Sequence, residues 1–314
     1  MPLQESLPVD VYTEQWPVWG TTARMVVTDP AVLPLARSIV DVELAAVDDA
    51  CSRFRDDSEL SWVVRAGGRP VRVSSRLAEL VSVALAAAER TGGDVDPTVG
   101  AAMSALGYDR DFATLVDQGK TRGKSDTPPA RLSLINGCDW RAVRLCGREL
   151  VVPQGMRLDL GATAKAFTAD RCARMVSAIF NVGALVSLGG DLATAGPAPA
   201  GGWRVLVQDG PTEPGCTVTL PADAAIATSS TISRQWQHGG RLLHHILDPR
   251  TCQPAPRVWR TVSVAADRCL DANTFATAAL VRGERATGWL RRVGAAARLV
   301  DADGRVTTLG RWPS

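Results

Sequence analysis

The sequence predicts an α+β fold, with mixed or antiparallel sheets and helices packed against them. Short apolar runs of strand length recur along the 314 residues, most of them bounded by turn-forming residues. Four longer stretches carry helical spacing, and they do not alternate one for one with the strands as a doubly wound sheet requires. Hydrophobic residues make up 46% and charged residues 22%, which suffices for a sizeable core and excludes wholesale disorder.

Residues 22–27 are the first strand. Residues 30–54 follow as a helix, because Val32, Leu35, Ile39, Val42, Ala46 and Cys51 keep close to the 3.6-residue period. A short strand at 71–74 precedes a second helix at 76–90. Gly92-Gly93 ends that helix, since glycine takes the left-handed cap conformation without a Cβ penalty. Residues 117–130 read as an exposed loop. Strands at 131–135, 142–145 and 150–152 lead to a third helix at 163–180. Strands follow at 185–188, 203–208, 216–220, 225–227, 243–247 and 261–266, with a loop at 195–202. A last helix at 271–293, interrupted at Gly283, precedes a final strand at 297–300.

The net charge is +2, which argues against a nucleic-acid protein. The only lysines are Lys120, Lys124 and Lys165, and the only histidines are His238, His244 and His245. The first residues show no charged and apolar export signal, so a cytoplasmic location is expected. The longest largely apolar run, 80–88, is far short of the roughly 20 residues that span a membrane. Seven cysteines show no CxxC pair and no metal-ligand spacing. They read as reduced thiols, mostly buried, with a single surface disulfide left open.

Five constellations could carry chemistry. Asp96-Pro-Thr98 exposes a carboxylate and a hydroxyl at a turn, or serves the turn alone. Asp159-Leu-Gly-Ala-Thr-Ala-Lys165 opens a helix with small residues. A lysine at that end opposes the helix dipole, which makes sense if an anion binds there, or else Lys165 is simply a solvated helix residue. Leu188-Gly-Gly-Asp191 allows close approach to backbone or a tight turn. Thr228-Ser-Ser-Thr231 is hydroxyl-rich, and Leu243-His-His-Ile-Leu-Asp-Pro-Arg-Thr251 follows it; adjacent histidines in a strand point to opposite faces. Asn273 and Thr277, four apart on a helix, offer two oxygens suited to Mg²⁺ or to capping and packing.

In this order the segments resemble the FAD:protein FMN transferases, the ApbE family. Gly20-Thr21, Phe54-Arg-Asp-Asp-Ser-Glu-Leu60, Asp96-Pro-Thr-Val-Gly100, Asp159-Leu-Gly-Ala-Thr-Ala-Lys165, Leu188-Gly-Gly-Asp191 and His245-Ile-Leu-Asp-Pro-Arg-Thr251 carry the resemblance. It implies a T-fold-like ApbE architecture, with one domain over 21–314 after an extension at 1–20. It implies FAD as substrate and Mg²⁺ as cofactor, transfer of FMN to a threonine of an acceptor flavoprotein, and release of AMP. That acceptor would bear an Asp followed a few residues later by Ser/Thr-Gly-Ala-Thr. Hydrolysis of FAD to FMN and AMP, or FAD binding without turnover, are the alternatives.

Carried over by position, His245 is the functional histidine. Ala164 (through its carbonyl), Asn273 and Thr277 are the metal ligands. Asp96, Thr98, Lys165, Thr228 and Ser229 line the cofactor segment. Two departures stand out. Asn273 replaces the family's metal-ligand aspartate, and Ser230 brings a side chain where the family has glycine.

Overall fold

The computed structural model describes residues 12–112, 114–115, 137–210, 213 and 215–313. The expected loop at 117–130, the strand at 131–135, Lys120 and Lys124 lie outside the described residues.

Helices fall at Leu33–Cys51 (α1), Glu59–Arg65 (α2), Ser75–Thr91 (α3), Gly100–Ala105 (α4), Ala164–Phe180 (α5), Cys269–Arg282 (α6) and Ala286–Arg292 (α7). The chain divides into two compact units. One comprises Met1–Ala45, Lys165–Ser230 and Arg257–Ser314; the other comprises Ala46–Ala164 and Thr231–Pro256.

The first unit is built on an eight-stranded sheet. Its strands are Tyr12–Val18 (β1), Thr21–Val27 (β2), Ala184–Leu188 (β3), Asp191–Ala195 (β4), Ala225–Ser230 (β5), Trp259–Ala266 (β6), Ala296–Asp301 (β7) and Val306–Leu309 (β8). They lie side by side in that order, and every neighbouring pair is antiparallel. The α+β reading therefore holds. Tyr12–Val18, inside the expected extension, is itself the edge strand paired to β2.

Both faces of the central strands are covered. α6 packs on β5 and β6. A hairpin of Trp203–Val207 and Cys216–Leu220 puts Trp203, Val205, Val207, Val218 and Leu220 into one core with Val26, Leu185, Leu192 and Ile226. Double coverage explains why β3 and β4 are buried at every position and show no apolar–polar alternation.

The second unit holds α2 to α4, a small sheet and two short hairpins. Its core joins Ala102, Met103, Leu106 and Tyr108 to Trp236, Leu243 and Leu247. α3 ends as its glycines predict: Gly92 is left-handed, with φ 67°. The expected last helix does break at Gly283, where a 3-10 turn separates α6 from α7.

Three expectations need correcting. Residues 243–247 are not one strand: Arg241–His244 pairs with Gln235–His238, His245 lies in a bend, and Leu247–Asp248 starts a second hairpin. Residues 142–145 split into a 3-10 turn at Trp140–Ala142 and a strand at Arg144–Cys146. The cysteines are not mostly buried: Cys172 and Cys269 are, whereas Cys146 is exposed and the other four are intermediate.

Candidate functional site

In the first unit the site is assembled around β5. Strand alternation sends Ala225, Ala227 and Ser229 to one face and Ile226 and Thr228 to the other. Ile226 enters the hairpin core, so Ser229 faces α6. There its hydroxyl donates to Asn273 Oδ1 at 3.2 Å and shares a hydrogen bond with Thr277 Oγ1 at 2.8 Å. Helical spacing places Asn273 and Thr277 on one face of α6, as expected. The result is a buried cluster of three neutral oxygen donors. Thr228, on the opposite face, shares a hydrogen bond with Ser263 Oγ at 2.8 Å.

Asp191 opens β4 beside β5, opposite Ala227. The glycines before it, Gly189 and Gly190, have φ of 65° and 104°. A Cβ on Gly189 would collide with the Thr21 side chain, which accounts for Gly-Gly at this turn. Lys165, the second residue of α5, donates to Asp191 Oδ2 at 2.7 Å, with Asp191 almost fully buried. The anion that a lysine at a helix start calls for is therefore present in the chain itself.

α6 is held by a capping device that sequence reading missed. Its N-cap residue, Arg268, makes no side-chain cap bond. Asp170 on α5 supplies one instead: Oδ1 accepts from Cys269 N–H at 2.8 Å and Oδ2 from Leu270 N–H at 3.0 Å. Burial pushes the Asp170 carboxyl above the usual range, against the opposing pull of those two amides. Burial first, then Asp191 and Asp170, raises the Cys269 thiol well above its ordinary value. Lys165 and Asp170 thus leave the same helix to fix β4 and α6.

In the second unit, Asp96 and Thr98 are joined. Asp96 Oδ1 accepts from Thr98 N–H at 2.8 Å and from Thr98 Oγ1 at 2.6 Å. Asp96 Oδ2 accepts from Trp140 N–H at 3.2 Å, and Thr98 Oγ1 from Asp139 N–H at 2.9 Å. The same turn runs alongside the residues that lead into α5. Gly100 N–H donates to Arg157 O at 3.1 Å, and Asp159 N–H donates to Pro97 O at 2.7 Å. A Cβ on Gly100 would lie 2.7 Å from Arg157 O, so a side chain there would separate the two segments. Asp159 in turn accepts from Gly161 N–H at 2.8 Å and pairs with Arg53 at 2.9 Å. Ala164 is the first residue of α5, with its N–H donating to Leu160 O at 2.8 Å.

His245 is half-buried in the bend after the Arg241–His244 strand. Its neighbour His244 is buried, with Nε2 3.0 Å from Ala255 O. The following turn is clamped by Arg250, which donates to Asp248 at 2.9 Å and to Asp94 at 3.3 Å. That link between two motifs far apart in the chain had no signal in the sequence beyond opposite charge. Among the described residues, no group of three or more His, Cys, Asp or Glu could hold a metal ion. No helix there is long and apolar enough to cross a membrane.

Comparison with known proteins agrees with the motif order. The ApbE family model matches residues 19–312. A relative in Treponema pallidum, named FAD:protein FMN transferase, is 34% identical over 263 residues, covering 76% of this chain and 69% of that protein. A Klebsiella pneumoniae protein of the same name is 29% identical over 285 residues, covering 88% and 79%. Among solved structures, the ApbE protein of Thermotoga maritima has a TM-score of 0.80 at 23% identity, covering 95% of this chain and 96% of that one. The flavin transferase ApbE of Vibrio cholerae has a TM-score of 0.78 at 23% identity, covering 97% and 99%. These two structures establish the likeness of fold.

Proposed function

The chain belongs to the ApbE family, and on that premise we propose that it is an FAD:protein FMN transferase. The names of its relatives support the transferase reading. The observation that carries the chemistry is the buried Ser229–Asn273–Thr277 oxygen cluster. Oxygen donors suit Mg²⁺, which keeps several waters and takes few protein ligands. Asn273, Thr277 and the Ala164 carbonyl are the proposed ligands. The ion supplies neutralisation of charge on the phosphate oxygens.

In the proposed reaction a threonine hydroxyl of the acceptor flavoprotein forms a bond to the FMN-side phosphorus of FAD. The bond from that phosphorus to the bridging oxygen breaks, and AMP leaves with the electron pair. His245 orients or deprotonates the attacking hydroxyl. Asp96, Thr98, Lys165, Thr228 and Ser229 serve the FAD segment. For Asp96 and Thr98 that role is to hold the turn and the 139–140 backbone in place. For Lys165 it is to anchor α5 through Asp191.

Incubation with FAD, Mg²⁺ and an acceptor bearing the Asp…Ser/Thr-Gly-Ala-Thr motif tests the proposal. Covalent FMN on the acceptor supports it. Free FMN with AMP would make water the acceptor, and bound FAD with neither product would make the chain a binding protein. His245→Ala and Thr277→Ala are expected to abolish product; full activity in both would overturn the residue assignments.

A further inference from the structure

Seven cysteines give no pattern in the sequence, but the fold of the second unit brings two of them together. Cys138 and Cys252, 114 residues apart, have their sulfurs 3.4 Å from each other. We propose that Cys138 and Cys252 form a dithiol–disulfide pair, a covalent modification site that clamps the 138–140 segment to the Asp248–Cys252 turn.

Both sulfurs are carried on anchored backbone. On one side, Asp139 N–H donates to Thr98 Oγ1 and Trp140 N–H donates to Asp96 Oδ2. On the other, Asp248 O accepts from Thr251 N–H at 3.1 Å and from Cys252 N–H at 2.9 Å. Cys252 sits at φ 54°, a left-handed conformation costly for a residue with a side chain, and it turns the chain sharply there. Bond formation needs the sulfurs to close by little more than an ångström, to about 2.05 Å. Both residues are partly accessible, so a small oxidant can reach them.

The oxidant is a peroxide. One thiolate attacks an oxygen of hydrogen peroxide; the S–O bond forms, the O–O bond breaks, and the departing hydroxide takes up the proton lost by the thiol, leaving a sulfenic acid and water. The second sulfur then displaces the sulfenic oxygen as water and the S–S bond forms. Two thiols and one peroxide thus become one disulfide and two waters. Burial, with Cys252 alongside, raises the Cys138 thiol, and either sulfur can open the reaction because the product is the same disulfide.

Treatment of the full chain with hydrogen peroxide, then thiol counting in denaturant, tests the pair. The count is expected to fall from seven to five, and to return after dithiothreitol. A peptide map should join the peptides containing residues 138 and 252. Cys138→Ser and Cys252→Ser are each expected to remove that cross-link. Cross-linking between other cysteines, or oxidation to unpaired sulfenic and sulfinic acids in the wild-type map, would overturn the proposal. The wild-type map is decisive by itself, even if a serine variant folds poorly.

Discussion

Asn273 offers an oxygen without a charge, and its partners Ser229 and Thr277 are neutral as well. The metal site proposed here therefore draws its negative charge from the FAD pyrophosphate. Mg²⁺ is expected to bind weakly to the FAD-free protein and more tightly with FAD present. Asn273→Asp adds the missing charge and should tighten Mg²⁺ binding without FAD by about tenfold, or ~1.4 kcal/mol. Calorimetric titration of both proteins reads this directly, and tight binding to the wild-type apoprotein would contradict it. Thiols offer a second test at this scale. Burial first, then Asp48 and Asp159, pushes the Cys51 thiol up to about 12, and Cys269 is raised well above its usual value. Cys146 is exposed. Iodoacetamide near neutral pH should label Cys146 first and reach Cys51 and Cys269 only in denaturant, as peptide mass spectrometry would record.

Among the elements, α6 depends most on a partner distant in sequence. Asp170→Ala would leave the buried Cys269 and Leu270 amides without their acceptor, costing roughly 1–3 kcal/mol by chemical denaturation. The pH dependence follows from the raised carboxyl. A group that titrates higher when folded than its usual 3.8 stabilises the fold fully below that value, and the contribution is lost as pH rises through the folded titration. The stability advantage of wild type over Asp170→Asn should therefore shrink as pH climbs above 3.8. An advantage that grew with pH would reverse the direction. What was legible at this scale was local. The Gly92 cap, the Gly283 break and the shared face of Asn273 and Thr277 all follow from spacing within a single helix. The Asp170 cap spans 99 residues and the Arg250–Asp94 pair 156, so no periodicity could announce them. α2 and α4, of 7 and 6 residues, are too short for a helical period to stand out. The bend at His245 was hidden because residues 243–247 are apolar enough to read as one continuous strand.

At the scale of the whole molecule, the chain passes between the two units at residues 45–46, 164–165, 230–231 and 256–257. The second unit is thus made of two pieces, and its core is shared between them. Ala102, Met103, Leu106 and Tyr108 come from the longer piece, and Trp236, Leu243 and Leu247 from the shorter. The Trp236 ring N–H also donates to Leu106 O at 2.8 Å, and its ring lies 5.2 Å from that of Tyr108. Losing the shorter piece would strip three large apolar side chains from that core, each contributing about 1.5–3 kcal/mol when fully buried. That is a large share of the 5–15 kcal/mol by which a domain is stable. A fragment of residues 46–164 is therefore expected to lack cooperative thermal unfolding and dispersed amide resonances. Joining residues 231–256 to it through a flexible linker should restore both, because the missing core side chains and the Trp236 hydrogen bond return together. A fragment of 46–164 that unfolds cooperatively by itself would show that its own helices suffice, and that the shorter piece adds to a core already formed.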